Sequence, residues 1–335
     1  MAGVRASHWS EIKEQDAGYW HFKLMGFTIR IFPIIVARFV AYIVSFLYFV
    51  FSKHARTESR EYLKRISAAK GGEKFYTLPH ITAFSLTLVE KAEAWCGKAL
   101  FKRIHFQEDD IQNLIENLEK GQGALLISSH LGNMEFIRGL AGYNRTGVSR
   151  DLPVTVIVDF AITGKFNQML RELNPRVMTQ IVSSKEIGPE TIILLQDRID
   201  AGELVAIAGD RTSANTRNKY LRLPFLGKDA PFSYGSFLLA ALLDAPTYFI
   251  FALRKKDVSL SSQYNMYIHK SSVTFDCSRK EREERIKEMA RNFSEKLEYY
   301  CKQHPYQWYN FYDFWNDSFH DFWVETAPPK KPREV

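Results

Sequence analysis

Only three cysteines occur in the 335 residues, Cys96, Cys277 and Cys301, far apart and in no C-x-x-C pair. So odd and scattered a set excludes a disulfide framework and reads as free thiols in a reducing compartment. There is no H-E-x-x-H, and the remaining histidines fall at no metal-ligand spacing, so no metal is expected. A G-x-S-x-G elbow is missing, which removes the usual serine hydrolase. Each Gly-Lys pair is followed by Ala99, Phe166 or Asp229, so the chain has no P-loop. Recognition-helix, zinc-finger and RNA-binding signatures are absent, and nucleic acid is not expected as a partner. Internal repeats and low-complexity domains are also missing. Charge is missing from one place: between Phe39 and Phe51 there is none.

What is present points toward an anionic, greasy environment. Aromatic residues make up 14% of the chain, with 25 Phe and 16 Tyr, an excess suited to a membrane interface or an apolar ligand tunnel. The formal charge is +7, and the basic residues scatter except for Lys53, Arg56, Arg60, Lys64 and Arg65. That cluster directly follows the most hydrophobic stretch, Phe27 to Phe51, which favours an anionic membrane surface. Arg38 and Pro33 interrupt the roughly 20 apolar residues a clean span requires. The stretch therefore reads as a helix that dips into one leaflet or spans with Arg38 snorkelling, a buried core helix being the alternative. Basic residues after it place the remainder on the cytoplasmic side. Charges through Lys23 and the lack of a small-residue cleavage site predict no removable signal peptide.

The chain divides into an N-terminal membrane anchor or interfacial helix (1–56), a helical collar (57–120), an α/β core (121–318) and a loose C-terminal tail (319–335). In the collar, Phe84, Leu88, Ala92 and Trp95 recur at helical spacing. From Gly123 the pattern changes. Ala124 to Ile127, Pro153 to Val158 and Leu204 to Ala208 have buried-strand character, and helical stretches at Lys165 to Leu173 and Pro189 to Ile199 separate them. Strand patterns at Thr247 to Leu253 and Asn265 to His269 precede a charged helix from Arg279 to about Tyr300. The fold class expected is α/β: a mixed, largely parallel sheet flanked by helices, with an N-terminal membrane-associated helix and a ligand crevice beyond the strand C-termini.

The strand at Ala124 to Ile127 runs into Ser128-Ser129-His130-Leu131-Gly132-Asn133-Met134-Glu135. His130 is placed where α/β proteins put reactive groups, with an ordinary pKa suited to a general base. Such a base needs a carboxylate on its other ring nitrogen, and Glu135 is the nearest candidate. On one continuous helix the two would face different ways, so the pairing requires His130 to lie in a turn before the helix, which Gly132 makes cheap. The first helical amides, with Asn133, could face an oxyanion. The alternative is a histidine satisfying a strand end and a solvated first-turn glutamate.

The H-x-x-x-x-E spacing after an apolar strand resembles the motif of the lysophospholipid acyltransferase superfamily. Its flanks look like the branch containing bacterial lipid A lauroyl and myristoyl acyltransferases. The opening His8-Trp9, the apolar anchor and the following Arg/Tyr-rich helix are similar to that branch's N-terminal region. Ala208-Gly209-Asp210-Arg211 resembles its second substrate-binding block, and Pro224 to Phe232 a later block leading into a small-residue helix. The ending Gln307 to Trp315 is similar to that of a subgroup of predicted acyltransferases.

By this resemblance His130 deprotonates a hydroxyl or amine of a lipid-like acceptor and Glu135 orients it. The acyl group comes as a thioester on acyl carrier protein or coenzyme A, a co-substrate, with no cofactor. The protein would meet membrane lipids at the cytoplasmic face of a bacterial inner membrane. Gly132, Asn133, Asp210 and Arg211 are the expected substrate-binding residues, Arg211 for a phosphate or, equally, an internal salt bridge. The Gly209-Asp210-Arg211 block differs from the E-G-T-R form of the glycerol-phosphate enzymes, which leaves the acceptor open. The aromatic ending lines a tunnel or packs internally. Two rival functions share these residues: a thioesterase-like hydrolase using water, and a non-catalytic lipid-binding scaffold.

Overall fold

The computed structural model describes residues 33–95, 103–107, 110–137, 148–150, 152–158, 179–184, 187–212, 220–243, 245–261 and 263–315. The expected helix at Lys165 to Leu173, His8-Trp9, Cys96 and the tail beyond 315 lie outside them.

Three helices come first: α1 (Ile34–Phe51), α2 (Lys53–Ala69) and α3 (Thr77–Trp95). The remaining elements are β1 (Ile104–Phe106), α4 (Ile111–Glu119), β2 (Ala124–Ser128), β3 (Val154–Val158), β4 (Thr179–Ser183), α5 (Pro189–Asp200) and β5 (Leu204–Ala208). They continue with β6 (Tyr220–Phe225), β7 (Lys228–Ser233), α6 (Tyr234–Leu242), β8 (Thr247–Arg254), β9 (Tyr264–Lys270) and α7 (Arg282–Gln303). Seven strands form one sheet in the order β1-β9-β8-β2-β5-β3-β4, parallel throughout except for the antiparallel β8–β9 pair. The architecture is the mixed, largely parallel α/β sheet expected.

Alternation along the central strands divides the core into two apolar layers, as a two-residue side-chain period requires. Leu125, Ile127, Val205, Ile207, Phe249, Phe251 and Leu253 face one way, against Met289, Phe293, Leu297 and Tyr300 of α7. Leu126, Ala206, Tyr248, Ile250 and Ala252 face the other, toward Leu114 and Leu118 of α4 and Phe136. With both faces covered, β2, the central strand of the seven, is buried along its whole length.

Four strands, β1, β4, β6 and β7, were not legible in advance. β1 sits inside the stretch read as a helical collar and pairs with β9; three residues are too few to show a period. β4 extends the sheet beyond β3. The block at Pro224 to Phe232 is the β6–β7 hairpin, whose tip places Leu226 (φ 51) and Gly227 (φ 80) in the left-handed region of a tight hairpin turn. The small-residue helix it was expected to lead into is α6, capped by the Ser233 side chain on the Ser236 amide.

α1 packs on α3 through one narrow stripe, Ala37, Arg38, Ala41 and Ser45, whose small residues let the helices approach closely. Ser45 Oγ lies 3.1 Å from Thr82 Oγ1. Ile35, Phe39, Val40, Ile43, Val44, Phe46, Leu47, Val50 and Phe51 all remain exposed. Arg38 does not snorkel outward. It turns into the protein, donating to Glu93 Oε2 at 2.9 Å and to the Leu260 carbonyl at 2.7 Å, with both side chains of the ion pair 5% exposed. Arg56 of the basic cluster donates to the Phe49 and Val50 carbonyls and so satisfies the end of α1.

Candidate active site

β2 and β5 are neighbours, paired in parallel with Ser128 opposite Ala208. Gly209 N donates to the Ser128 carbonyl at 2.8 Å, so the two chains leave the sheet together. Two residues further along, His130 and Asp210 face one another. His130 Nδ1 is 2.9 Å from Asp210 Oδ1, and the His130 amide donates to Asp210 Oδ2 at 2.9 Å. The imidazole is 32% exposed while the carboxylate is fully buried.

The turn that carries His130 is built from Gly132. Its φ is +74°, and a Cβ there would collide with the Ala252 carbonyl of β8. That carbonyl accepts from the Asn133 amide at 2.9 Å, so the turn is stitched directly onto the sheet. Asn133 is buried, and its Oδ1 caps the Glu135 amide at 3.2 Å, starting a helix at Glu135. Its Nδ2 is a buried donor with no partner among the described residues. His130 thus lies in the turn before the helix. The turn amides are committed: Gly132 N donates to the Gln307 carbonyl at 2.9 Å, Asn133 N to Ala252 and Glu135 N to Asn133.

The chain beyond α7 closes the far side. Leu131 bridges to Trp308, and Tyr309 N donates to the His130 carbonyl at 3.2 Å. The buried Gln307 carboxamide grips both the amide and the carbonyl of Arg254 at 2.8 Å each. Trp308 donates its indole N–H to Asp210 Oδ2 at 3.1 Å. The aromatic ending therefore packs, with Trp308, Phe314 and Trp315 all buried. Arg211 Nη2 donates to the Tyr309 carbonyl at 2.8 Å, and its guanidinium lies 5.4 Å from the Tyr312 ring centroid.

Electrostatics follow from this packing. Burial, then the positive charges of Arg211 and Lys91, hold the His130 imidazole below the ordinary histidine value against the upward pull of Asp210. Burial alone would raise Asp210, but His130, the hydrogen bonds and Arg211 outweigh it and bring the carboxyl down to about 2. At neutral pH the pair is thus a neutral imidazole on an ionised carboxylate. Because the carboxylate only accepts, Nδ1 carries the proton and Nε2 is left with its lone pair, the tautomer a general base needs.

Of the residues singled out in the sequence, the structure brings His130, Gly132, Asn133, Asp210 and Arg211 into one turn-and-strand-end cluster, and Glu135 opens the helix that follows. The carboxylate on Nδ1 is Asp210. Adjacency of β2 and β5 was the signal that would have found it. Lys91 had no local signal, and Trp308 stood out only as one of the aromatic residues of the Gln307 to Trp315 ending. Among the described residues, no group of three or more His, Cys, Asp or Glu side chains is arranged to hold a metal ion.

The family model described as bacterial lipid A biosynthesis acyltransferase matches residues 8–316, nearly the whole chain. No curated protein matches it significantly.

Proposed function

Since the chain belongs to the bacterial lipid A biosynthesis acyltransferase family, and so is an acyltransferase acting on lipid-like acceptors, we propose that His130 is its general base. The observation that carries this reading is the 2.9 Å Nδ1–Oδ1 bond to a buried Asp210, which leaves a partly exposed ring with a basic Nε2. Nε2 takes the proton of the acceptor hydroxyl or amine as its oxygen or nitrogen attacks the thioester carbonyl of acyl carrier protein or coenzyme A. Collapse of the tetrahedral intermediate breaks the carbon–sulfur bond, and the imidazolium returns the proton to the departing thiolate. Products are the acylated lipid and a free thiol.

Asp210 holds the tautomer, and Gly132 and Asn133 frame the turn. Glu135, the carboxylate of the H-x-x-x-x-E motif, is assigned to the acceptor side. Arg211 supplies positive potential for a phosphate or for the developing oxyanion. The exposed face of α1 supports burial in the cytoplasmic leaflet of an inner membrane. Each of its large, roughly half-exposed apolar side chains gains about 1 kcal/mol on leaving water, and a contiguous apolar face of this extent is unusual on a protein surrounded by water.

The test is transfer of radiolabelled acyl groups from acyl carrier protein and from acyl coenzyme A into a bacterial lipid extract, with His130→Ala and Glu135→Ala beside the unaltered protein. Label in a lipid that both variants abolish while folded supports the assignment. Transfer surviving loss of His130 puts the site elsewhere. Release of free fatty acid alone moves the hydrolase reading forward, and lipid binding without any turnover the scaffold.

A further inference from the structure

Trp308 is buried among aromatic rings on several sides. Its ring centroid lies 5.1 Å from Tyr62, 5.1 Å from Phe225 and 4.9 Å from Phe314. Its carbonyl accepts from His80 Nε2 at 2.9 Å, and His80 Nδ1 is held at 2.9 Å by Ser59 Oγ. Burial brings His80 down to about 4, so it is neutral and serves as a fixed donor to that carbonyl. The tryptophan is thus clamped at both backbone and ring. A buried indole N–H needs an acceptor, and any carbonyl would serve for packing. Here it goes instead to a carboxylate that already holds His130.

Asp210 is consequently fixed at three points: Oδ1 by His130 Nδ1, and Oδ2 by the His130 amide and the Trp308 indole. We infer that Trp308 is a positioning residue for the reaction: its indole N–H pins Oδ2 of Asp210 and thereby fixes the plane of the carboxylate that orients His130. The inference rests on His130 acting as the base. It makes the segment after α7 part of the catalytic machinery, although Trp308 touches no reacting atom.

The charged and titratable groups around His130 and its carboxylate come from several elements: Asp210 and Arg211 after β5, Lys91 on α3, Cys301 on α7 and Tyr312 in the segment after α7. None of these is altered when only the indole N–H is removed. Losing that donor leaves more charge on the carboxylate, which favours the protonated imidazole and moves its titration to higher pH.

The experiment uses the full-length protein in detergent micelles with its histidines labelled at Cε1, the His130 resonance being identified by its loss in His130→Gln. Trp308 is replaced by Phe and, through suppression of a stop codon, by benzothienylalanine, which puts sulfur where the N–H was and preserves the ring's shape. The result expected is a higher-pH titration of His130 in both variants, the protonated-to-neutral ratio at fixed pH rising roughly threefold, and an acid limb of transfer activity that moves with it. An unmoved titration in a benzothienylalanine protein that melts like the unaltered one overturns the inference. Should the Phe variant fail to fold, the isostere decides alone. If the titration moves but the unaltered protein transfers no acyl group, the proposed function falls while the role of Trp308 in holding the pair stands.

Discussion

Replacing Asp210 by Asn changes almost nothing in volume and almost everything in hydrogen-bond polarity. Three donors converge on the carboxylate, two of them on Oδ2. An asparagine satisfies the most by aiming its single oxygen at the His130 amide and the Trp308 indole, which turns its NH2 toward Nδ1. The imidazole then accepts at Nδ1 and carries its proton on Nε2, the wrong tautomer for a base. A carboxylate-to-amide change of this kind in a histidine–carboxylate pair costs about 10⁴-fold in turnover, or roughly 5 kcal/mol of barrier. Stability responds separately. The folded-state pKa of Asp210 lies at about 2, below the ordinary 3.8, so its ionised form stabilises the protein above about pH 3.8 and that contribution is lost as pH falls toward 2. The full depression corresponds to about 2 kcal/mol. Part of it depends on a charged His130, which at neutral pH is neutral, so about 1 kcal/mol is the expected loss at pH 7. The assay is single-turnover transfer from labelled acyl thioester, alongside denaturant unfolding at pH 7 and pH 3.5. Turnover within tenfold of the unaltered protein, with the fold retained, would refute the tautomer argument.

Gly132→Ala must place a Cβ against the Ala252 carbonyl at a positive φ; a loss of about 3 kcal/mol in stability and of nearly all transfer is expected, checked by thermal unfolding and the same assay. Arg38→Met takes from the buried Glu93 its nearer cation, at 2.9 Å, and leaves Arg103 at 3.6 Å. It should cost about 3 kcal/mol, and the double variant with Glu93→Met should regain most of it, because an apolar pair removes both desolvation penalties; chemical denaturation of the two variants settles this. Arg211→Gln removes a cation that depresses His130. The acid limb of the pH–rate profile, which in the unaltered protein falls below the ordinary histidine value, should move to higher pH, so that activity drops more at pH 6 than at pH 8.

Long apolar runs and strict spacings made much of the architecture readable. Ala124 to Ile127, Leu204 to Ala208 and Thr247 to Leu253 are strands because a sheet covered on both faces needs continuous hydrophobic segments. Gly132 in a turn between a strand and a helix followed from where a histidine must sit to be useful. Asp210 entered the reading as a substrate-binding residue, because its place beside His130 depends on β2 and β5 being neighbours, which nothing local encodes. Arg38 was read from composition as a charge awkwardly placed in an apolar helix. Its partner Glu93 is 55 residues away, and a pattern of one helix cannot report a contact with another. The aromatic ending was legible as aromatic but not as a wall of the site, since its bonds to His130, Asp210 and Arg254 run to residues distant in sequence.

That wall has a consequence for biogenesis. His130 leaves the ribosome well before Gln307, Trp308 and Tyr309, yet those three residues supply the carbonyl that receives the Gly132 amide, the donor on Asp210 and the amide on the His130 carbonyl. Contacts of such separation form late in folding, after the loop-closure entropy has been overcome. A nascent chain whose apolar α1 has already emerged therefore holds His130 in an unfinished turn until Gln307, Trp308 and Tyr309 have been made and have docked.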